Sequence, residues 1–225
     1  MYNHSRRLFL IAGAACVAAP RAVFAAGGSG AGVAPDAALS RLVAGNKKYV
    51  SEMVGSRINT IEERAALGNG QAPWASILTC ADSRTSPEIL FNQGLGDIFV
   101  TRVAGNIAGS AETASLEYAA AVLGSQLIVV MGHSECGAVK SALAYAKGEK
   151  MPSEDLTNLV TAIQPAVKVA MTKSGDLLTN AIKANAKLTA KHLKEIDILE
   201  ELIEKKKLKI VSAYCDLATG KITWL

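Results

Sequence analysis

Aromatic side chains are scarce, at 5% of 225 residues. That leaves no material for a Trp/Tyr-rich binding surface. It points instead to closely packed helices and sheets. Histidine is scarcer still, with three in the chain, and there are only four cysteines. A surplus of charge is missing too. The formal net charge is +4, and Arg6, Arg7 and Arg21 supply most of it from an acid-free first segment. The remainder is close to neutral, so basicity gives no ground for nucleic acid or an anionic membrane as a partner. Beyond the first segment no apolar run is long enough to cross a bilayer, so no stable membrane insertion is expected once that segment is removed. Apolar residues are plentiful, at half the chain. They can fill a substantial core in one medium-sized domain.

Residues 1–26 read as a targeting segment. A charged start (Ser5-Arg6-Arg7-Leu8-Phe9-Leu10) leads into a short apolar middle and a small-residue region ending Phe24-Ala25-Ala26. The paired arginines resemble a twin-arginine export signal, and Arg21 near the expected cleavage point fits that route. An N-terminal membrane anchor is the alternative reading. Residues 27–35 read as a flexible linker, and 36–225 as one domain. The expected location is therefore the periplasm. Export would remove Cys16 and leave Cys80, Cys136 and Cys215. An odd number argues against a simple disulfide framework. Two thiols bound to a metal ion would be protected from oxidation, and export of a folded protein would allow the metal to be loaded first. A bound metal and no Cys80–Cys136 disulfide are expected.

Periodicity predicts helices over 35–51, with Asp36 as cap, and over 60–67, where Thr60 and Glu63 form a capping box. Residues 74–80, 97–103 and 126–131 read as strands, with helices at 111–123 and 136–147. Residues 153–206 read as mostly helical, with breaks near Pro165 and Ser174-Gly175. Strands at 208–214 and 222–225 close the chain. Alternating strands and helices imply an α/β fold with a mainly parallel central sheet flanked by helices, preceded by an N-terminal helical arm.

The chemistry sits in two short segments. Cys80-Ala-Asp82-Ser-Arg84 follows one apolar strand, and His133-Ser-Glu-Cys136 follows another. Strand carboxyl ends are where sites assemble in such sheets. Cys and His are the ligands zinc prefers, and three protein ligands leave a catalytic fourth position open. In an extended segment, spacing by two would set Cys80, Asp82 and Arg84 on one side. Asp82 could close the fourth position itself or turn to the planar fork of Arg84 and leave it to water. A purely structural zinc site has no use for that pair.

The two motifs resemble those of the β-carbonic anhydrases, and the similarity runs from about Leu39 to the C-terminus. The resemblance implies one zinc ion per subunit, held by Cys80, His133 and Cys136, with Asp82 and Arg84 as the catalytic dyad. Asp82 stays a possible fourth ligand in a closed state. It implies reversible hydration of CO2 to bicarbonate and a proton, by hydroxide generated at zinc. In the plant-like branch, Gln71 corresponds to a substrate-orienting amide and Phe99 and Tyr118 to pocket walls. Ala104 stands where a larger apolar wall residue is usual. Ile77 and Thr79 replace the Trp and Gly of the bicarbonate-regulated branch, which weakens any expectation of that regulation. The family also implies a homo-oligomer built on a dimer in which the partner supplies pocket residues. A related zinc hydrolase acting on carbon disulfide or carbonyl sulfide, and a silent zinc-binding assembly module, are the alternatives. The Asp82–Arg84 pair and Gln71 argue against the latter. His192 reads as solvated surface, Cys215 as buried packing, and Glu135 has no assigned role.

Overall fold

The structure, a computed structural model, describes residues 32–53 and 60–225. The expected signal segment and most of the linker lie outside the described residues. Pro35 already belongs to the first helix, where its fixed φ suits the opening turn. Val33 packs on the core, so the linker ends earlier than its composition implies.

The elements run α1 (Pro35–Val50), α2 (Ile61–Leu67), β1 (Ala75–Thr79), α3 (Pro87–Leu90), β2 (Ile98–Arg102), α4 (Ser110–Glu117), β3 (Leu127–His133), α5 (Gly137–Ala146), α6 (Glu154–Met171), α7 (Leu177–Lys194), α8 (Asp197–Glu204), β4 (Lys209–Cys215) and β5 (Ile222–Trp224). The sheet order is β2-β1-β3-β4-β5. The first four strands are parallel and β5 is antiparallel at one edge. β1 and β3 are buried along their whole length, as expected for strands covered on both faces. On one face Ala75, Ile77, Val129 and Met131 pack under Leu42 of α1. On the other, Leu78, Ile128 and Val130 meet α4, α7 and α8. Gly132 lets α7 approach β3 closely, since a Cβ there would sit 2.8 Å from Ile182 Cγ2.

Two local expectations change. Asp36 does not cap α1; the cap is Ala34, and Asp36 pairs with Lys209 of β4 at 2.7 Å instead. Pro165 does not break α6, which runs through it. Pro165 is exposed, while Val160, Ile163, Ala166, Val167 and Ala170 form a buried stripe on both sides of it. Burying that stripe outweighs one lost hydrogen bond on the wet face. The Thr60–Glu63 capping box forms as expected. The predicted helix over 111–123 winds more widely from Tyr118 to Val122.

Candidate metal centre

The carboxyl ends of β1 and β3 are neighbours in the sheet, so the segments that follow them meet. Cys80, His133 and Cys136 are all buried, and their ligand atoms lie within 4.8 Å of one another. The three cysteines of the described residues are free thiols. His133 Nδ1 lies 2.8 Å from the Ser134 carbonyl oxygen, which can only accept. The proton therefore sits on Nδ1 and the Nε2 lone pair points into the cluster. That buried nitrogen has no hydrogen-bond partner. A buried acceptor with no donor, beside two thiols, is a donor set for a thiophilic divalent cation, and it fits zinc. The Cys136 thiol drives the Cys80 pKa down against the cost of burial, and the same bond pushes Cys136 up.

Arg84 does not continue an extended run from Cys80 and Asp82 as the spacing implied. Residues 82–85 turn, closed by the Thr85 N–H on the Asp82 carbonyl at 3.1 Å. The turn folds Arg84 back onto Asp82. Arg84 Nε donates to Oδ1 at 2.9 Å and its Nη2 to Oδ2 at 2.7 Å, while its backbone N–H also reaches Oδ1 at 3.0 Å. The guanidinium fork holds the Asp82 carboxyl well below the usual carboxylate range. Asp82 Oδ2 is 3.9 Å from His133 Nε2, yet Asp82 does not belong to the compact ligand group.

Three supporting residues escaped the sequence reading. Arg102 of β2 donates from Nε to the Cys80 carbonyl at 3.1 Å and from Nη2 to that of Asp82. The Thr85 hydroxyl lies 3.1 and 3.0 Å from the same two carbonyls. The Gly105 N–H donates to Cys80 Sγ at 3.3 Å. Glu135, between two ligands, takes a left-handed conformation (φ 59°) and pairs with Lys140.

The structure divides the residues expected at the substrate. Ala104 adjoins Gly105 in the turn beside Cys80. Phe99 and Tyr118 pack together, with ring centroids 6.5 Å apart. Phe99 pairs with Ser76, however, and Cys80 lies four residues further on, about 13 Å along the strand. Gln71 is exposed and precedes β1, at the end of that strand opposite Cys80. These three do not line this chain's own metal group. Cys215 is buried packing beside His133, and His192 is exposed.

Residues 75–222 match the carbonic anhydrase family model. Carbonic anhydrase 2 of Mycobacterium tuberculosis is 44% identical over 133 residues, which is 59% of this chain and 64% of that protein, so the chain spans somewhat less than two thirds of this relative. The solved β-carbonic anhydrase CcaA superposes with a TM-score of 0.67 at 26% identity, over 83% of this chain and 94% of the other. A chain from the crystal structures of two tetrameric β-carbonic anhydrases of Sordaria macrospora shares the fold, with a TM-score of 0.65 at 23% identity over 83% of this chain and 96% of the other. With the Cys80–His133–Cys136 group on this parallel sheet, the chain belongs to the carbonic anhydrase family, in its β class.

Proposed function

We propose that this protein catalyses the reversible hydration of CO2 to bicarbonate and a proton. The observation that carries the proposal is the locking of both Asp82 oxygens by Arg84 beside a three-residue ligand set. Zinc held by Cys80, His133 and Cys136 supplies Lewis acidity that lowers the pKa of water towards neutrality. The remaining work belongs to the protein. Arg84 holds both oxygens of Asp82 beside the ligand group but outside it, and keeps the carboxylate ionised. A carboxylate so strongly held is a poor proton store but a good acceptor. Asp82 therefore orients an attacking O–H at Oδ2, and the released proton passes to solvent buffer. CO2 is small and apolar, and apolar walls with one or two donors suit it.

Gln71, Phe99 and Tyr118 are assigned to the site of a second copy, in a homodimer or larger assembly. Their distance from their own Cys80 supports this, as does the lack of an outer partner for edge strand β2 among the described residues. Ile89, Leu95, Tyr118 and Val122 are also exposed nearby. Export through the twin-arginine route to the periplasm rests on residues 5–26 and on the reduced thiols that zinc would protect.

Stopped-flow CO2 hydration by zinc-loaded protein tests the activity. Absence of acceleration over buffer, with zinc present, rejects it. Parallel assays with carbon disulfide and carbonyl sulfide separate the related hydrolases. Light scattering across dilution tests self-association, and recovery in the periplasmic fraction tests export.

A further inference from the structure

One buried amide has no part in the chemistry described above. Asn185 lies in the middle of α7, is 3% exposed, and donates from Nδ2 to the Gly105 carbonyl at 2.7 Å across 80 positions of sequence. Gly105 occupies the third position of a four-residue turn closed by the Asn106 N–H on the Val103 carbonyl at 3.0 Å. Its φ of 72° and ψ of 15° are those of a type II turn, in which that position needs a positive φ. The central peptide, Ala104–Gly105, carries the N–H that donates to Cys80 Sγ.

Type I and type II turns differ by reversal of this central peptide. Reversed, it would withdraw the N–H and turn the Ala104 carbonyl oxygen towards the thiolate. The following peptide, Gly105–Asn106, is held at both ends, its N–H by Val103 and its oxygen by Asn185. A side chain at 105 is disfavoured, since its Cβ would lie 2.7 Å from Ile163 Cδ1. We infer that Asn185 is a positioning residue for the metal centre: from α7 it seats the Gly105 turn at the depth and in the sense that aim a backbone N–H at Cys80 Sγ. An N–H on a thiolate withdraws electron density, so Asn185 acts through Gly105 on how strongly Cys80 donates to a metal. The inference rests on Cys80 being a metal ligand.

Cobalt(II)-substituted full-length protein tests it. In Asn185→Leu the thiolate-to-cobalt charge-transfer band should move to lower energy. Zinc release to a chelator should be roughly tenfold faster, as for other partners that orient ligands. Asn185→Ser, which is shorter and leaves room for water, should move the band in the same direction and serves if the Leu variant does not fold. Leu193→Ala removes core packing from the same helix. It should lower the melting temperature and leave the band in place. Bands identical to wild type in the Asn185 variants, or an equal shift in Leu193→Ala, would overturn the inference. Wild-type protein without a thiolate-to-cobalt band would instead overturn the ligand assignment.

Discussion

Asp82→Asn separates catalysis from stability at this site. The change keeps the side-chain shape and one acceptor but puts an NH2 group where Oδ2 or Oδ1 now meets Arg84. At least one charge-assisted hydrogen bond is lost, of 2.7–2.9 Å, worth about 1.5–3 kcal/mol where it is shielded from water. Arg84 is 55% exposed, however. The cost to folding should therefore resemble that of a surface ion pair, about 1 kcal/mol or less, or a few degrees in melting temperature. Turnover should fall about 10²–10³-fold, because the acceptor that orients the attacking group loses its charge and its fixed position. Zinc content should not change, since Asp82 lies outside the ligand group. The pH dependence has a definite sign. Arg84 lowers the folded-state pKa of Asp82, so its contribution to stability is complete above the unfolded carboxyl range near about 4 and fades as pH falls below it. The stability gap between wild type and variant should therefore close on acidification. Stopped-flow hydration, metal analysis and thermal unfolding on the same preparations decide the matter. Zinc lost in proportion to activity, or a melting temperature lower by ten degrees or more, would refute the reasoning.

Gly132→Ala should cost about 1–3 kcal/mol in urea unfolding, because the new Cβ meets Ile182 Cγ2 at 2.8 Å and the Ile182 carbonyl at 3.3 Å; an unchanged midpoint would mean that α7 can shift freely on β3. Asn46→Ala should cost about 3 kcal/mol, since this buried side chain donates to the Leu90 and Gly220 carbonyls and accepts from the Ile222 N–H; a loss under about 1 kcal/mol would show that water replaces all three bonds. Stripping zinc with a chelator should lower the melting temperature reversibly, because it leaves His133 Nε2 buried without a partner; coincident melts of stripped and reloaded protein would exclude a metal built into the fold.

The ligand set was legible in the sequence because each part of it is local. Cys80 to Arg84 and His133 to Cys136 are short words, each placed directly after an apolar strand. What supports them was hidden, because it is not local. Arg102 reaches back 22 positions to the Cys80 carbonyl, and Asn185 reaches 80 to Gly105. Neither residue differs from an ordinary surface or helix residue until the sheet and α7 are assembled. The Asp82–Arg84 pair was found for an imperfect reason: spacing by two implied an extended segment, whereas a turn brings the groups together. Pro165 misled because its local preference is real but small beside the apolar stripe of α6. Gln71, Phe99 and Tyr118 could be named from the family resemblance, but their placement relative to Cys80 depends on strand direction and length, which a motif does not carry.

The long reach of Asn185 also sets an order of events during synthesis. All three ligand residues have been made by position 136, but the amide that seats the turn beside Cys80 comes 49 residues later. A metal ion met by the growing chain finds thiols and an imidazole without their backbone frame. Only when α7 has emerged and closed over β3 does the site take its final shape. The fold therefore favours loading of a finished protein over loading of a nascent chain.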